Sequence, residues 1–335
     1  MKSWQLEKTG RQNLKLVDGP QPNPGPRQVL VRTQAVSLNF RDKAIIEGTY
    51  PMHVSYPLVL GSDVAGEVIA VGPGVTLVQP GDKVISIFKP KWLEGVPTTE
   101  EASDTLGGPL PGVLAEVVLL PETGVLKYPD YLTPAEASTL PIAAVTAWVA
   151  LFTHGGLQPH ETVLVQGSGG VSIAGLQLAV AHGARVIATS TSAHKIARLK
   201  ELGAAEVIDV TKSPAWENDV RSLTDGKGVN HILEVVGGES VQHSIQALAW
   251  GGHIAVIGFM AGPEATINLP ALMPTAIKIQ GVGVGSRRDT ADLLAFLAAH
   301  PIAPVIDSTY DFSAAPAAFD HLDRGPFGKV VVEVR

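Results

Sequence analysis

Residues 163–179, VLVQGSGGVSIAGLQLA, join a short apolar run to an apolar helix through a glycine-rich turn. That order of parts constrains the fold more than any other feature of the chain. A buried strand reversing into a helix over Gly167, Gly169 and Gly170 heads a βαβ unit, because glycine allows both the tight reversal and a close approach of backbone N–H groups to a ligand. Val171 opens the helix, whose N-terminus carries the partial positive charge that attracts phosphate. Ser172 stands where a third glycine of G-x-G-x-x-G would be, and it is small enough for close helix packing.

The segments downstream complete the pattern. RVIAT (185–189), EVIDV (206–210), NHILEVV (230–236) and HIAVIG (253–258) read as buried strands, and KIQGVGVG (278–285) as a further one. Helices are predicted between them over 194–202, 216–223 and 240–248, and upstream over 133–155. Continuous apolar strands alternating with helices predict a doubly wound parallel sheet of order 3-2-1-4-5-6, the Rossmann arrangement. Before it, QVLVRTQAVSL (28–38), VAGEVIAVG (64–72) and GDKVISIF (81–88) are strand-like runs punctuated by PNPGP and GPGV turns, which predicts a β-rich domain. Residues 89–112 read as a long loop, and the tail after Thr290 returns to the first domain with a final strand in GKVVVEV.

The second strand of the α/β region ends in ATSTSAHK. An NAD-binding chain would place a carboxylate there to hold the ribose 2′-hydroxyl. Ser190 occupies that position, with Ser192 beside it and Lys195 a helical turn on, so the pocket is expected to accept a 2′-phosphate and the cofactor to be NADP(H).

Composition narrows the function classes. With 25 basic and 32 acidic residues the net charge is −7, the wrong sign for a nucleic-acid binder. No apolar run approaches the roughly 20 residues that span a bilayer, and the N-terminal stretch lacks the apolar core of a signal peptide, so a cytoplasmic protein without membrane partners is expected. Cysteine is absent, which removes thiolate nucleophiles and thiolate zinc ligands. The ten histidines show no H-E-x-x-H pairing, and His53 is expected to be a solvated surface residue.

AVSLNFRD (35–42), PLVLGSDVAGEVIAVGPGV (57–75), PGDKV (80–84), GVLAEVVLLP (112–121) and the glycine turn, in that order, resemble the medium-chain dehydrogenase/reductase superfamily over nearly the whole chain. The resemblance implies an α/β protein with a GroES-like catalytic domain over 1–126 and 284–335, a Rossmann NADP-binding domain over 127–283, and a cleft where nicotinamide meets substrate. It also implies a homodimer joined through the last Rossmann strand. Relatives with zinc place Cys, His and a second Cys where this chain has Asn39, Ser62 and about Ile142, so no metal is expected. L-N-F-x-D (38–42) followed by G-x-Y-P (48–51) looks like the zinc-independent quinone oxidoreductase and zeta-crystallin branch.

That branch implies NADPH-dependent hydride transfer to quinones or α,β-unsaturated carbonyls. Asn39 is expected to donate to the substrate oxygen, Tyr50 to stack on or donate to the substrate, and Asp42 to orient Asn39; Arg41 is expected at the surface by default, or, if it points into the cleft, to favour anionic acceptors. Thr146 matches a threonine near the nicotinamide, Gly258, Phe259, Gly283 and Val284 lie where the carboxamide is gripped, and Lys329 is expected either at the cofactor phosphates or as a surface lysine beside a strand. The alternatives are a metal-free alcohol dehydrogenase or carbonyl reductase, and a non-catalytic NADPH-binding protein of the crystallin kind.

Overall fold

The structure, a computed structural model, describes residues 1–334, apart from the side chain of Ala271. The chain divides into two compact units, Met1–Val145 with Gly285–Arg335, and Thr146–Val284.

The first unit is built on β-branched runs, the most deeply buried of them in β3 and β16. In β1 (Lys2–Leu6), β2 (Leu14–Asp18) and β4 (Leu58–Val59) the chain forms a small antiparallel sheet. A larger sheet takes β3 (Gln28–Ser37), β5 (Asp63–Val71), β6 (Lys83–Ser86) and β8 (Val125–Lys127) in antiparallel succession, with β7 (Val117–Pro121) also on β3. Between β3 and the next strand runs α1 (Phe40–Glu47), which stops at Gly48, where φ is +73° and a Cβ would meet the Thr9 methyl at 2.7 Å. The core joins Leu6, Leu38, Ile45, Ile46 and Leu60 to Phe319 and Val330 from the far end of the chain.

Residues 89–112, expected as irregular loop, contain a one-turn helix, α2 (Thr99–Ser103), capped reciprocally by Thr98 and Glu101. The backbone N–H groups of Arg287 and Arg288 donate to Trp92 O and Leu93 O, each at 2.9 Å. The Arg41 guanidinium donates to Leu106 O and Gly108 O at 2.9 and 3.1 Å, which tethers the other end. Residues 127–145 lie in the first unit, where α3 (Pro134–Ser138) packs on β3 and β5. The predicted 133–155 helix runs on through α4 (Val145–Trp148) but widens to π geometry over Leu140–Ala144 and Val149–His154. Pro141, which has no N–H for the ladder, lies in the first widened turn.

The second unit is the six-stranded parallel sheet predicted above. Its strands are β9 (Thr162–Gln166), β10 (Arg185–Ser190), β11 (Glu206–Asp209), β12 (Val229–Glu234), β13 (Leu248–Val256) and β14 (Lys278–Gly281). They lie in the order β11-β10-β9-β12-β13-β14. Helices α5 (Gly170–His182), α6 (Ala193–Glu201), α7 (Trp216–Leu223), α8 (Ser240–Ala247) and the short α9 (Leu269–Leu272) connect them, each within about a residue of the predicted bounds where one was predicted. Leu164, Ile187, Ile232 and Ile254 from four neighbouring strands pack against Trp216, Val220 and Ile245 of the helices. One residue earlier on these strands, and so on the opposite face of the sheet, His231 and His253 are register partners on β12 and β13, and His154 is near enough to act on the charge of His253.

The chain then returns to the first unit through α10 (Arg287–Ala299), β15 (Ile306–Asp311), α11 (Ala315–Leu322) and β16 (Lys329–Glu333). Strand β16 lies between parallel β15 and antiparallel β3, inside the larger sheet. No helix among the described residues is long and apolar enough to cross a membrane.

Helix α5 is held close to the sheet by a glycine other than the one the motif led us to look for. A Cβ on Gly175 would lie 2.5 Å from Leu233 Cδ2, so Gly175 supplies the close packing, while Ser172 is buried with its hydroxyl donating to Gln166 O at 2.6 Å. Gly175→Val is therefore expected to lower stability by about 1–3 kcal/mol through overpacking. A depressed thermal midpoint checks it; an unchanged midpoint would show that Leu233 yields freely.

Candidate active site

At the start of α1 the backbone of Asn39 is extended, and its N–H donates to Asp42 Oδ2 at 2.8 Å. The Asn39 side chain is 8% exposed. Its Nδ2 donates to Asp63 Oδ2 at 2.9 Å, and its Oδ1 accepts from Lys329 Nζ at 2.5 Å. Lys329 also donates to Leu38 O at 2.8 Å and lies 3.8 Å from Asp63.

Arg41 is buried rather than at the surface. Besides the two carbonyls named above, its guanidinium donates to Ser62 Oγ at 2.6 Å and Thr105 Oγ1 at 3.4 Å, and lies 4.9 Å from the Phe88 ring centre and 5.4 Å from that of Tyr50. Those partners replace the water that would otherwise draw it outward. Tyr50 is half-buried and packs on the core beside Arg41; His53 is exposed.

Four charges thus share one buried cluster, two of each sign. Burial pushes Asp63 up to about 7, against the pull of Lys329 and the Asn39 amide. Burial likewise raises Asp42, opposed first by Arg41, and lowers Lys329, opposed by Asp63 and Asp42. Lys329, expected at the cofactor phosphates or at the surface, has its ammonium engaged within the first unit instead. Asp63 is the site residue that sequence reasoning missed; the only signal was an acid following Ser62 in GSD.

The positions that the resemblance sets against zinc ligands hold Asn39, Ser62 and about Ile142. The Ser62 hydroxyl accepts from Arg41 and donates to Leu106 O at 2.9 Å, and the Asn39 amide is engaged at both ends. Such a donor set, with two cations in contact with it, does not fit Zn²⁺. Among the described residues no group of three or more His, Asp or Glu side chains is arranged to hold a metal ion.

In the second unit, Gly167 turns the chain with φ +72°, and space lies open beside Gly167 and Gly169 where a Cβ would project. Gly169 caps α5 and Val171 lies in its first turn, so the helix N-terminus faces that space with unpaired backbone donors. The glycine turn fits a pyrophosphate. Ser190 ends β10 and is buried, its hydroxyl donating to Ser192 O and accepting from Ser192 N, both at 3.1 Å. Ser192 caps helix α6, whose first turn holds no acid but His194 and Lys195 instead. Basic residues at a helix N-terminus oppose the helix dipole unless an anion joins them.

Thr146 is buried at the start of this unit. Gly258 lies so close to β12 that a Cβ would meet Val235 O at 2.2 Å, and Phe259 is partly exposed. Gly283 is exposed, and Val284 adopts φ +69°, a strained conformation for a β-branched residue that costs about 1–3 kcal/mol. Beside these, a buried Glu234 at the end of β12 accepts from Gln166 Nε2 at 2.7 Å, Val236 N at 3.0 Å and Gly237 N at 2.9 Å, another network that spacing alone did not reveal.

A six-stranded parallel dinucleotide-type sheet joined to a GroES-like β unit with a buried polar cluster defines an oxidoreductase of the nicotinamide-dependent class. Comparison with known proteins agrees. Residues 25–130 match the alcohol dehydrogenase GroES-like domain, and residues 170–299 the zinc-binding dehydrogenase family. A zinc-type alcohol dehydrogenase-like protein of Schizosaccharomyces pombe is 38% identical over 319 residues, covering 93% of this chain and 92% of its own. An acryloyl-coenzyme A reductase of Sulfurisphaera tokodaii is 31% identical, covering 96% and 97%. The crystal structure of a candidate alcohol dehydrogenase from Sinorhizobium meliloti 1021 superposes with TM-score 0.95 at 45% identity, over 99% of this chain and 98% of that one. The chain belongs to the medium-chain dehydrogenase/reductase superfamily and is an NAD(P)-dependent oxidoreductase, so the non-catalytic alternative falls away.

Proposed function

We propose that the protein is an NADPH-dependent, zinc-independent reductase of α,β-unsaturated carbonyls or quinones. The observation that carries this reading is the Asn39 amide, held between Lys329 and Asp63 at a position that offers an acceptor oxygen a neutral N–H donor. Bound at the glycine turn, the cofactor supplies hydride from the nicotinamide. The residues of this chain do the rest. Gly167, Gly169, Gly170 and Val171 present backbone donors to the pyrophosphate, Ser190, Ser192 and Lys195 receive the 2′-phosphate, and Thr146, Gly258, Phe259, Gly283 and Val284 border the nicotinamide. Asn39 stabilises negative charge that develops on the substrate oxygen, Asp42 fixes its backbone, and Tyr50 lies against the substrate.

A neutral donor stabilises a localised alkoxide less than a metal does. Acceptors that spread the charge, conjugated carbonyls and quinones, suit such a site. The acryloyl-coenzyme A reductase relative is named for a conjugated acyl group, which supports the reading. The alcohol dehydrogenase name of the S. meliloti structure favours a second one, a metal-free reductase of simple carbonyls. A homodimer joined through β14 is part of the proposal: β14 is the edge of its sheet, all four of its residues are exposed, and Trp250 and Met273 are 74% and 83% exposed.

Chelator-treated protein assayed with NADPH and NADH against a quinone, a cyclic enone and a simple ketone decides between the two. Turnover of the first two alone, with NADPH preferred, is expected; ketone turnover would favour the second reading. Ser190→Asp is expected to move the preference toward NADH by placing a carboxylate beside the 2′-phosphate, and an unchanged ratio of affinities would remove this account of the pocket.

A further inference from the structure

We infer that Lys329 and Asp63 are positioning residues which fix the Asn39 amide in one orientation, N–H toward the substrate oxygen, and polarise it as a donor; the inference deepens the function proposed above and rests on it for its kinetic arm. An asparagine amide has a carbonyl and an NH₂ of nearly equal size, so its packing alone does not choose between two orientations related by a flip. Here its partners choose. Lys329 is an ammonium with donors only, and it meets Oδ1 at 2.5 Å. Asp63, as a carboxylate, offers acceptors only, and its Oδ2 accepts from Nδ2 at 2.9 Å. Flipping the amide would set NH₂ against the ammonium and C=O against the carboxyl oxygen, exchanging two charge-assisted hydrogen bonds for two repulsions.

The partners are themselves immobile. Lys329 is held by Leu38 O in the short link between β3 and α1, and its own strand β16 is paired on both sides. Asp63 opens β5 and is fully buried. Of the two N–H bonds on Nδ2 one is taken by Asp63, which leaves the second for an acceptor. An ammonium on the carbonyl oxygen draws electron density through the amide and strengthens that second N–H as a donor. Neither Lys329 nor Asp63 touches the substrate in this account.

The test compares Lys329→Arg with Lys329→Gln. Arginine keeps a donor-only cation, whereas glutamine accepts as readily as it donates and so permits the flip. Lys329→Gln is expected to lower kcat with a cyclic enone by about 10²-fold, as misplacement of a catalytic group does, with KM for NADPH little changed. Lys329→Arg is expected to retain most of the activity. Because Lys329→Gln leaves buried carboxyl groups without their cation, the charge-balanced Asp63→Asn/Lys329→Gln chain is made alongside, with the same loss expected.

The second readout needs no substrate. In protein labelled with ¹⁵N-asparagine, the Asn39 side-chain amide is expected to show two well-separated, slowly exchanging protons, which move together and exchange faster in the Gln-containing chains. Wild-type kcat in a folded Lys329→Gln or double variant, or Asn39 resonances that do not respond, would overturn the inference. Wild-type protein that turns over no enone or quinone but shows the amide response would overturn the proposed function and leave the orientation standing.

Discussion

Asn39→Ala is expected to lower kcat with a conjugated carbonyl by about 10²–10³-fold, the usual consequence of deleting one donor to a developing oxyanion. Affinity for NADPH is expected to stay within about twofold, since no cofactor contact is assigned to Asn39. The substitution also leaves Lys329 and Asp63, 3.8 Å apart, without the amide that bridges them. That loss costs about 1–3 kcal/mol for hydrogen-bonding groups left buried and unmet, visible as a lower thermal midpoint. The kinetic and stability effects are separable by assaying well below the midpoint. If kcat holds and KM for the carbonyl alone rises, Asn39 binds substrate and transition state equally, and the charge is stabilised elsewhere.

The second large effect is expected from acid. His253 is 3% exposed, neither ring nitrogen has a hydrogen-bond partner, and burial together with His231, His154 and Lys278 lowers its pKa to about 4. The nearby Glu161 is paired with His231, its Oε2 lying 2.9 Å from the Nε2 of that ring. The fold therefore accepts His253 as a neutral ring. A lowered histidine pKa contributes stability that is complete above the unfolded value of about 6.5 and drains away as the pH falls toward 4. The loss amounts to about 2 kcal/mol at pH 5 and about 3 kcal/mol in full. Denaturant midpoints at pH 7.5 and pH 5 check it when the protein is compared with His253→Phe, in which nothing titrates at this position. An equal acid shift in both proteins would place the sensitivity in other groups.

The glycine turn, β9 and α5 were legible because every residue they need lies within the 21 positions from Thr162 to His182, and local chemistry decides the conformation. The sheet order was legible because strand and helix segments alternate without interruption. The 127–145 segment was placed in the Rossmann domain because its capped turn and helix look like the start of the α/β region, whereas its packing, with α3 on β3 and β5, groups it with the first unit. The same limit applied to the site. Asn39, Asp42 and Tyr50 sit within 12 residues of one another and were found together, whereas the bond from Lys329 to Asn39 spans 290 positions. Arg41 was expected outside because sequence does not show the carbonyls of residues 106 and 108 folding back to meet it. Likewise the role of the missing third glycine had passed to Gly175, which becomes evident only when Leu233 is seen beside it.

Strand β16 lies inside its sheet, between β15 and β3, although it follows β3 by almost the full length of the chain. On a ribosome, synthesis runs from N-terminus to C-terminus, and units tend to fold as they emerge. All six strands of the second unit are therefore available before β15 and β16 exist, and the glycine turn can form on a chain whose first unit still lacks two strands. Val330 and Phe319, which fill the core around Leu38 and Ile45, arrive last, and so does Lys329. A growing chain would gain the means to hold a dinucleotide before it gains a fixed Asn39 amide.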